Sequence, residues 1–217
     1  MKLIEFVTEH ESHILLWKIE EDAQYYIERL KLTSYDYAEL DKFLVEKRKL
    51  QWYASRHTLK QILQTEEVVH LHKNEQGKPF IHGSELHLSL SHTNEITAAI
   101  ANHHHKVGID IEHIKEKVKR VSHKFTTAHE LQYMTVENEV AYLITIWSAK
   151  ESLYKLYGNK KLDFIEHIKL EPFYLQQEGV IQGRIIKETF LKDLIVHYRI
   201  IGDHVLTYVE DTTEYHD

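Results

Sequence analysis

The segment Val107-Gly108-Ile109-Asp110-Ile111-Glu112 decides how the middle of this chain is interpreted. Its apolar residues alternate with the others, which is typical of a strand. Asp110 and Glu112 then project from one face with Cα atoms roughly 7 Å apart, at ~3.3 Å per residue, and Gly108 is expected to leave open space beside them. Two such carboxylates can bind one hard cation, although a solvated strand face explains the hexapeptide taken alone equally simply.

Further strands are predicted on both sides of this segment. Residues 86–91 alternate strictly, and residues 96–101 form an apolar run that a histidine-containing turn joins to residues 107–111. These three strands are predicted to form a small antiparallel meander. Residues 1–10 predict a first strand, and the strand pattern after residue 164 includes a hairpin turn at Gly202-Asp203.

Two capping boxes predict the main helices. A capping box of Thr33 and Asp36 opens a helical region over residues 35–63, and one of Thr127 and Glu130 opens a second region that ends near Gly158. The order helix, sheet, helix, sheet predicts an α+β fold with two related halves.

The composition excludes several classes of protein. The 217 residues include 27 Lys and Arg against 34 Asp and Glu, so a net charge of −7 disfavours nucleic-acid binding. Because there are no cysteines, any metal must be bound by oxygen or imidazole. No apolar run approaches the ~18 residues that span a membrane, and the chain is expected to be soluble and cytoplasmic.

The predicted second helix contains a carboxylate in apolar surroundings. Leu143, Ile144, Trp147 and Tyr154 surround Glu151, so this helix is expected to be buried over much of its circumference. A buried Glu151 needs a counter-charge, and Lys155 lies four residues further on. An ordinary Glu–Lys helix pair remains the alternative explanation.

Cations and phosphate-binding groups are concentrated in the first half of the chain. Arg48, Trp52 and Arg56 lie along one line of the first helix, where Arg side chains suit phosphate and a solvated cationic face is the alternative. Lys78 precedes the alternating strand and Ser91-His92 ends it, so all three side chains can donate hydrogen bonds to phosphate oxygens. The 18 histidines, including His103-His104-His105, leave open a metal-binding function, although a turn lacks fixed ligand geometry.

Four motifs in this order resemble one known family. They are Gly77-Lys78-Pro79, residues 88–93 (LSLSHT), residues 108–112 (GIDIE), and residues 147–152 (WSAKES) with Lys155. Together they resemble the 4′-phosphopantetheinyl transferases of the Sfp type, over most of the chain. The pairing of G-x-D-x-E with W-x-x-K-E is the specific part of this likeness.

The resemblance implies a fold, a reaction and partners. It implies a pseudo-dimeric α+β monomer with halves at residues 1–105 and 106–217, which binds coenzyme A between them. The enzyme would transfer 4′-phosphopantetheine to a serine of an apo acyl or peptidyl carrier protein, with Mg²⁺ as cofactor, and release adenosine 3′,5′-bisphosphate. The holo carrier is the product, and no nucleic acid or membrane takes part.

The resemblance also implies a role for particular residues. It implies Asp110, Glu112 and Glu151 as magnesium ligands and Lys155 as a catalytic residue near the pyrophosphate. Glu151 is our candidate base for the carrier hydroxyl, directly or through a water. Glu130 matches a family acid, but its capping box explains it equally well. The implied coenzyme A contacts are Arg48, Arg56, Lys78, Ser91, His92 and Lys155.

Two other functions remain open on sequence grounds. A non-catalytic coenzyme A or carrier-protein binding module is the first, and the acidic trio argues against it because binding alone gives no reason to cluster carboxylates beside a polyphosphate. A histidine-based metal-binding protein is the second. Acidic carriers would need a basic docking surface, for which we predict Lys115, Lys117, Lys119 and Arg120.

Overall fold

The structure, a computed structural model, describes residues 1–159 and 162–213, and these form an α+β fold of antiparallel sheets and four α-helices. The α+β prediction is confirmed. The helices are α1 Ala23–Leu30, α2 Ser34–Leu40, α3 Glu46–Ile62 and α4 Glu139–Tyr157, with short 3-10 helices at Glu116–Arg120 and Ser122–Lys124. The strands are β1 Lys2–Val7, β2 His13–Lys18, β3 Leu71–Lys73, β4 Pro79–Ile81, β5 His87–His92, β6 Ile96–Asn102, β7 Val107–His113, β8 Ile168–Leu170, β9 Glu178–Lys187, β10 Phe190–Ile201 and β11 His204–Glu210.

Two larger sheets organise the molecule. The first has the strand order β1-β2-β6-β5 and the second β7-β11-β10-β9-β8, while β3 and β4 form a separate small hairpin. Helix α3 packs on the first sheet and α4 on the second. The predicted boundary between residues 1–105 and 106–217 stays a prediction.

Strand β7 does not belong to the predicted meander. β5 pairs with β6 as expected, but β7 pairs with β11, with Ile109 opposite Tyr208. The meander prediction is therefore wrong for its last strand. The physical reason is burial on both faces: Ile109 and Ile111 join Ile14 and Ile100 in a core between the two sheets, while the opposite face of β7 contacts α4. Extending the first sheet would not cover both faces.

Gly108 is the point where β7 and α4 approach most closely. A Cβ atom at this position would lie 2.0 Å from the backbone oxygen of Ser152. The expectation that Gly108 leaves open space beside the acids is therefore wrong. The glycine instead lets the helix backbone lie directly on the strand, which brings the side chains of α4 close to those of β7.

The helix predictions are correct in position and wrong in extent. The first helical region is two helices, because residues 41–45 interrupt it between α2 and α3, although the Thr33–Asp36 capping box is present. Residues 127–138 form turns, and α4 begins only at Glu139. The hairpin at Gly202-Asp203 joins β10 and β11 as predicted. Within the described ranges, no helix is both long and apolar enough to cross a membrane.

Candidate active site

Asp110 on β7 is the residue on which three elements converge. Its Oδ1 accepts hydrogen bonds from Ser91 Oγ of β5 at 2.7 Å and from Lys155 Nζ of α4 at 2.7 Å. Lys155 Nζ also donates to the backbone oxygen of Ile109 at 3.0 Å. The structure thus brings together three of the residues that the sequence predicted, from both main sheets and from α4.

The second carboxylate oxygen of Asp110 lacks a protein donor. Oδ2 is buried and accepts no hydrogen bond from any residue that the structure describes. A buried carboxylate oxygen without a partner is unfavourable by a few kcal/mol. The position therefore suits a ligand that supplies positive charge.

Glu112 and Glu151 lie within electrostatic range of Asp110. Burial, followed by the charge of Asp110, raises the pKa of Glu112, and the indole N–H of Trp147 donates to Glu112 Oε1 at 3.0 Å. Burial also raises the pKa of Glu151 to about 7, with the charges of Asp110 and Glu112 acting in the same direction. The charge of Asp110 thus opposes ionisation of both glutamates.

The chemistry of these donors suits a hard divalent cation, because carboxylate oxygens are the ligands that Mg²⁺ takes and Asp110 Oδ2 is buried without a donor from the described chain. The ordinary helix-pair explanation of Glu151 and Lys155 does not describe the contacts. Lys155 lowers the pKa of Glu151 only through its charge, and its hydrogen bonds go to β7.

A cleft of about 400 Å³ opens beside Glu112 and contains four cationic side chains. Arg48 of α3 and His92 of β5 both line it. The structure thus brings these two predicted residues beside Glu112 of the acidic centre, which consists of Asp110, Glu112 and Glu151. Partial withdrawal from water and the neighbouring Arg48 charge lower the pKa of His92. The cations in the lining are Lys47, Arg48, Lys115 and Lys117.

Lys78 lies on the other side of Lys155. Both line a cavity of about 190 Å³. Lys78 Nζ donates to the backbone oxygen of Leu156 at 3.1 Å, and burial, followed by the charge of Lys106, lowers its pKa to about 8. Lys78 is thus held at the C-terminal end of α4, and Lys155 lies between it and the acidic residues.

The structure does not bring Arg56 to either cavity. Its Nε lies 3.3 Å from Asp36 Oδ1, and its guanidinium carbon lies 3.3 Å from the centre of the Trp52 ring. Burial lowers the pKa of Arg56 to about 10. These contacts hold α2 against α3 and explain Arg56 without any ligand, so its surroundings do not support the predicted coenzyme A contact.

Two features of the site were not assigned from sequence. Trp147 was noted as an apolar neighbour and as part of the motif but was given no polar role, and the signal for that role was its donor-only N–H one turn before Glu151. Lys150 forms a buried ion pair with Glu130 at 2.6 Å and donates to the backbone oxygen of Phe164 at 2.8 Å. Lys150 therefore ties α4 to its surrounding loops, and Glu130 also accepts from the backbone N–H groups of Thr127 and Leu170.

Residues 106–209, which include β7, α4 and all but the last residue of the second sheet, match the family model of the 4′-phosphopantetheinyl transferase superfamily. The resemblance read from the motifs is thereby confirmed over this part of the chain. Among curated proteins it is similar to the 4′-phosphopantetheinyl transferase gsp of Aneurinibacillus migulanus, with 38% identity over 90 residues. That alignment covers 40% of this chain and 37% of the relative.

Proposed function

We propose that this protein transfers 4′-phosphopantetheine from coenzyme A to a serine of an apo acyl or peptidyl carrier protein, with Mg²⁺ as cofactor. The observation that supports this most directly is Asp110, whose Oδ1 is fixed by Ser91 and Lys155 while Oδ2 is buried without a donor. Asp110, Glu112 and Glu151 would hold the ion. When bound, Mg²⁺ neutralises charge on the pyrophosphate of coenzyme A.

The donor would bind along the cations on both sides of the acidic centre. Coenzyme A carries a pyrophosphate and a 3′-phosphate, and the 400 Å³ cleft offers Arg48 and His92 for such groups. Lys155 lies between this cleft and Lys78, which supports a position for Lys155 beside the pyrophosphate. Ser91 donates a hydrogen bond to Asp110 and would therefore contribute by orienting that carboxylate.

The chain's own residues can move the proton that the reaction releases. The carrier hydroxyl oxygen attacks the phosphorus that bears pantetheine, the bond from that phosphorus to the bridging oxygen breaks, and adenosine 3′,5′-bisphosphate leaves. The hydroxyl proton needs an acceptor, and we assign this role to Glu151, directly or through a water. Lys155 balances negative charge at the leaving group.

The carrier would approach from a third side of the centre. A cavity of about 490 Å³ combines the apolar side chains Val118, Ile144 and Trp147 with the charges of Lys117 and Arg120, and it borders Glu112. This lining suits an acidic helix with one apolar face. Lys119 pairs with Glu116 at 3.1 Å and Glu139 at 2.7 Å, so we remove it from the predicted docking surface.

The fold supports the Sfp-type arrangement as part of the same proposal. Each main sheet has one long helix on it, α3 on the first and α4 on the second, which supports a pseudo-dimer with halves at residues 1–105 and 106–217. Ser91 and Asp110 complete one site from a single chain. We therefore propose a monomeric, cytoplasmic enzyme of the Sfp type.

Intact-mass spectrometry of an apo carrier protein tests this function. The carrier is incubated with the protein, coenzyme A and Mg²⁺, beside controls with Asp110→Asn and with a chelator. We expect the mass to rise by one phosphopantetheine and the rise to disappear in both controls. If several carriers show no gain while calorimetry shows coenzyme A binding, the transferase proposal is wrong and the chain is a binding module.

A further inference from the structure

A second group of possible metal ligands lies outside the acidic centre. It consists of Glu95 in the turn between β5 and β6, His113 at the end of β7, and Asp203 and His204 at the hairpin between β10 and β11. One ligand atom from each of the four residues lies within 4.8 Å of the other three. The group thus joins a turn of the first sheet to a hairpin of the second.

His113 points both of its ring nitrogens at oxygen atoms that can only accept. Nε2 lies 2.9 Å from Asp203 Oδ2, and Nδ1 lies 3.2 Å from the backbone oxygen of Ile114. An imidazolium would donate to both oxygens, whereas a neutral imidazole has one N–H and satisfies only one of these contacts. In metal-bound histidines, the ring nitrogen that does not bind the metal commonly donates its N–H to an oxygen acceptor. If Nδ1–H of His113 donates to the backbone oxygen of Ile114 in this way, a cation between Nε2 and Asp203 Oδ2 satisfies the second contact.

His204 has a matching geometry from the opposite side. Its Nδ1 lies 2.7 Å from Asp203 Oδ1, and its Nε2 lies 3.3 Å from Thr93 Oγ1. The His204 side chain is only 2% exposed, so its ring is held in place by its surroundings. The ring centres of His113 and His204 lie 4.7 Å apart, so both imidazoles face the same carboxylate.

We propose that Glu95, His113, Asp203 and His204 form a binding site for a zinc-like transition-metal ion. Two imidazole nitrogens with two carboxylates are a zinc-type ligand set, whereas Mg²⁺ prefers oxygen alone. The bound ion would fasten the turn at Glu95 to the hairpin at Asp203 and so stabilise the contact between the two sheets. This site differs from the Asp110 centre and from the His103-His104-His105 turn.

Zinc binding is best tested on a protein without the histidine turn. His103, His104 and His105 are replaced by Asn, the protein is freed of metal with a chelator, and ZnCl₂ is titrated by calorimetry in millimolar MgCl₂. We expect one equivalent of Zn²⁺ to bind. Asp203→Asn and Glu95→Gln, both at exposed residues, should each weaken binding by about tenfold or more.

Matched variants separate this site from the others. Asp110→Asn should leave the zinc affinity unchanged, and His204→Gln should abolish it. Because His204 is buried and its variant can lose the fold, the exposed pair Asp203 and Glu95 decides the outcome. Zn²⁺ should also raise the unfolding temperature of the parent protein but not that of Asp203→Asn.

Three results would overturn the assignment. They are an unchanged zinc affinity in both Asp203→Asn and Glu95→Gln, loss of all zinc binding when the histidine turn is replaced, and loss of zinc binding in Asp110→Asn. None of these measurements uses transferase activity. The metal site and the proposed function can therefore fail independently.

Discussion

Lys155 on α4 and Asp110 on β7 form an ion pair in which Nζ lies 2.7 Å from Oδ1, and this pair connects the helix to the acidic strand. Lys155 is held a second time by the backbone oxygen of Ile109. The cation compensates one oxygen of Asp110 and leaves Oδ2 without a donor from the described chain. Oδ1 of Asp110 thus holds the helix to the strand, and Oδ2 is available to a ligand.

The close approach of α4 to β7 is a precondition for this pair. It depends on Gly108, where a side chain would meet the backbone of Ser152. The specificity of the G-x-D-x-E motif thus has a physical basis, since its glycine sets the helix-to-strand distance that its acidic residues need.

Asp110→Asn should abolish most of the transferase activity. Asn keeps the size of the side chain and can still bond Ser91, but it removes the negative charge from the proposed ion site. We expect the rate of carrier modification, measured by mass spectrometry, to fall by about 10²–10³. Ser91→Ala removes only one hydrogen bond to Asp110 and should lower the rate by roughly tenfold. Equal losses in the two variants would contradict a special role of the Asp110 charge.

Glu151 should make the metal-free protein less stable as the pH rises. Its pKa is raised from 4.5 to about 7 in the fold, so the native state binds more protons than the unfolded state between these values. The stabilisation from protonated Glu151 is fully present below pH 4.5 and is lost as the pH rises through 7. This loss should lower the free energy of unfolding by about 1–3 kcal/mol. Urea unfolding in EDTA at pH 5 and pH 8 measures this loss.

Glu151→Gln should remove that part of the pH dependence, while the exposed Glu67→Gln should not. Mg²⁺ at pH 8 should restore stability to the wild-type protein. If Glu151→Gln shows the same decline between pH 5 and pH 8 as the wild type, the decline has another source.

Arg48 and Arg56 should respond differently to the same substitution. Arg48 lines the cleft, so Arg48→Gln should raise the KM for coenzyme A by about tenfold or more through loss of a charge-assisted hydrogen bond. Arg56→Gln leaves the buried Asp36 without its cationic partner and should lower the free energy of unfolding by roughly 3 kcal/mol, with an unchanged KM. Steady-state kinetics and urea unfolding separate the two effects. An increased KM in Arg56→Gln would restore the sequence-based assignment.

Charge reversal at Arg120 should weaken recognition of the carrier only. Arg120 lines the apolar cavity beside Trp147 and lies outside the cleft proposed for coenzyme A. We expect Arg120→Glu to raise the KM for an acidic carrier by roughly tenfold at low salt without changing the Kd for coenzyme A. Lys31→Glu, at another exposed cation, serves as the control. An unaltered carrier KM would place the docking surface elsewhere.

Gly108→Ala should destabilise the fold strongly. The added Cβ would lie 2.0 Å from the Ser152 oxygen, so α4 must move from β7 at a cost of about 3 kcal/mol or more. Gly83→Ala is the matched control because nothing lies within 4 Å of its Cβ position and only its positive φ of 77° opposes the change. That control should cost about 1–2 kcal/mol. Comparable losses in urea unfolding would show that β7 and α4 can separate without penalty.

Local sequence patterns predicted much of the secondary structure and the members of the acidic centre. Alternation located β5 and β7, an apolar run located β6, and the motif placed Asp110 and Glu112 on one strand and Glu151 on one helix. These properties depend on residues close together in the chain. Interruptions such as residues 41–45 and the turns before α4 were missed, because apolar periodicity continues through them.

Partners far apart in the chain were decided by the tertiary structure alone. β7 pairs with β11 of the second sheet, and not with the first sheet, because both of its faces are buried. This pairing also places β7 beside α4. Because of this packing, Lys155 pairs with Asp110 and not with Glu151. Arg56 pairs with Asp36 and does not line the cleft. The tertiary structure also placed Glu95 near Asp203. Periodicity determines which face of an element a residue occupies, but the neighbour of that face is set by how the elements bury their apolar surfaces together.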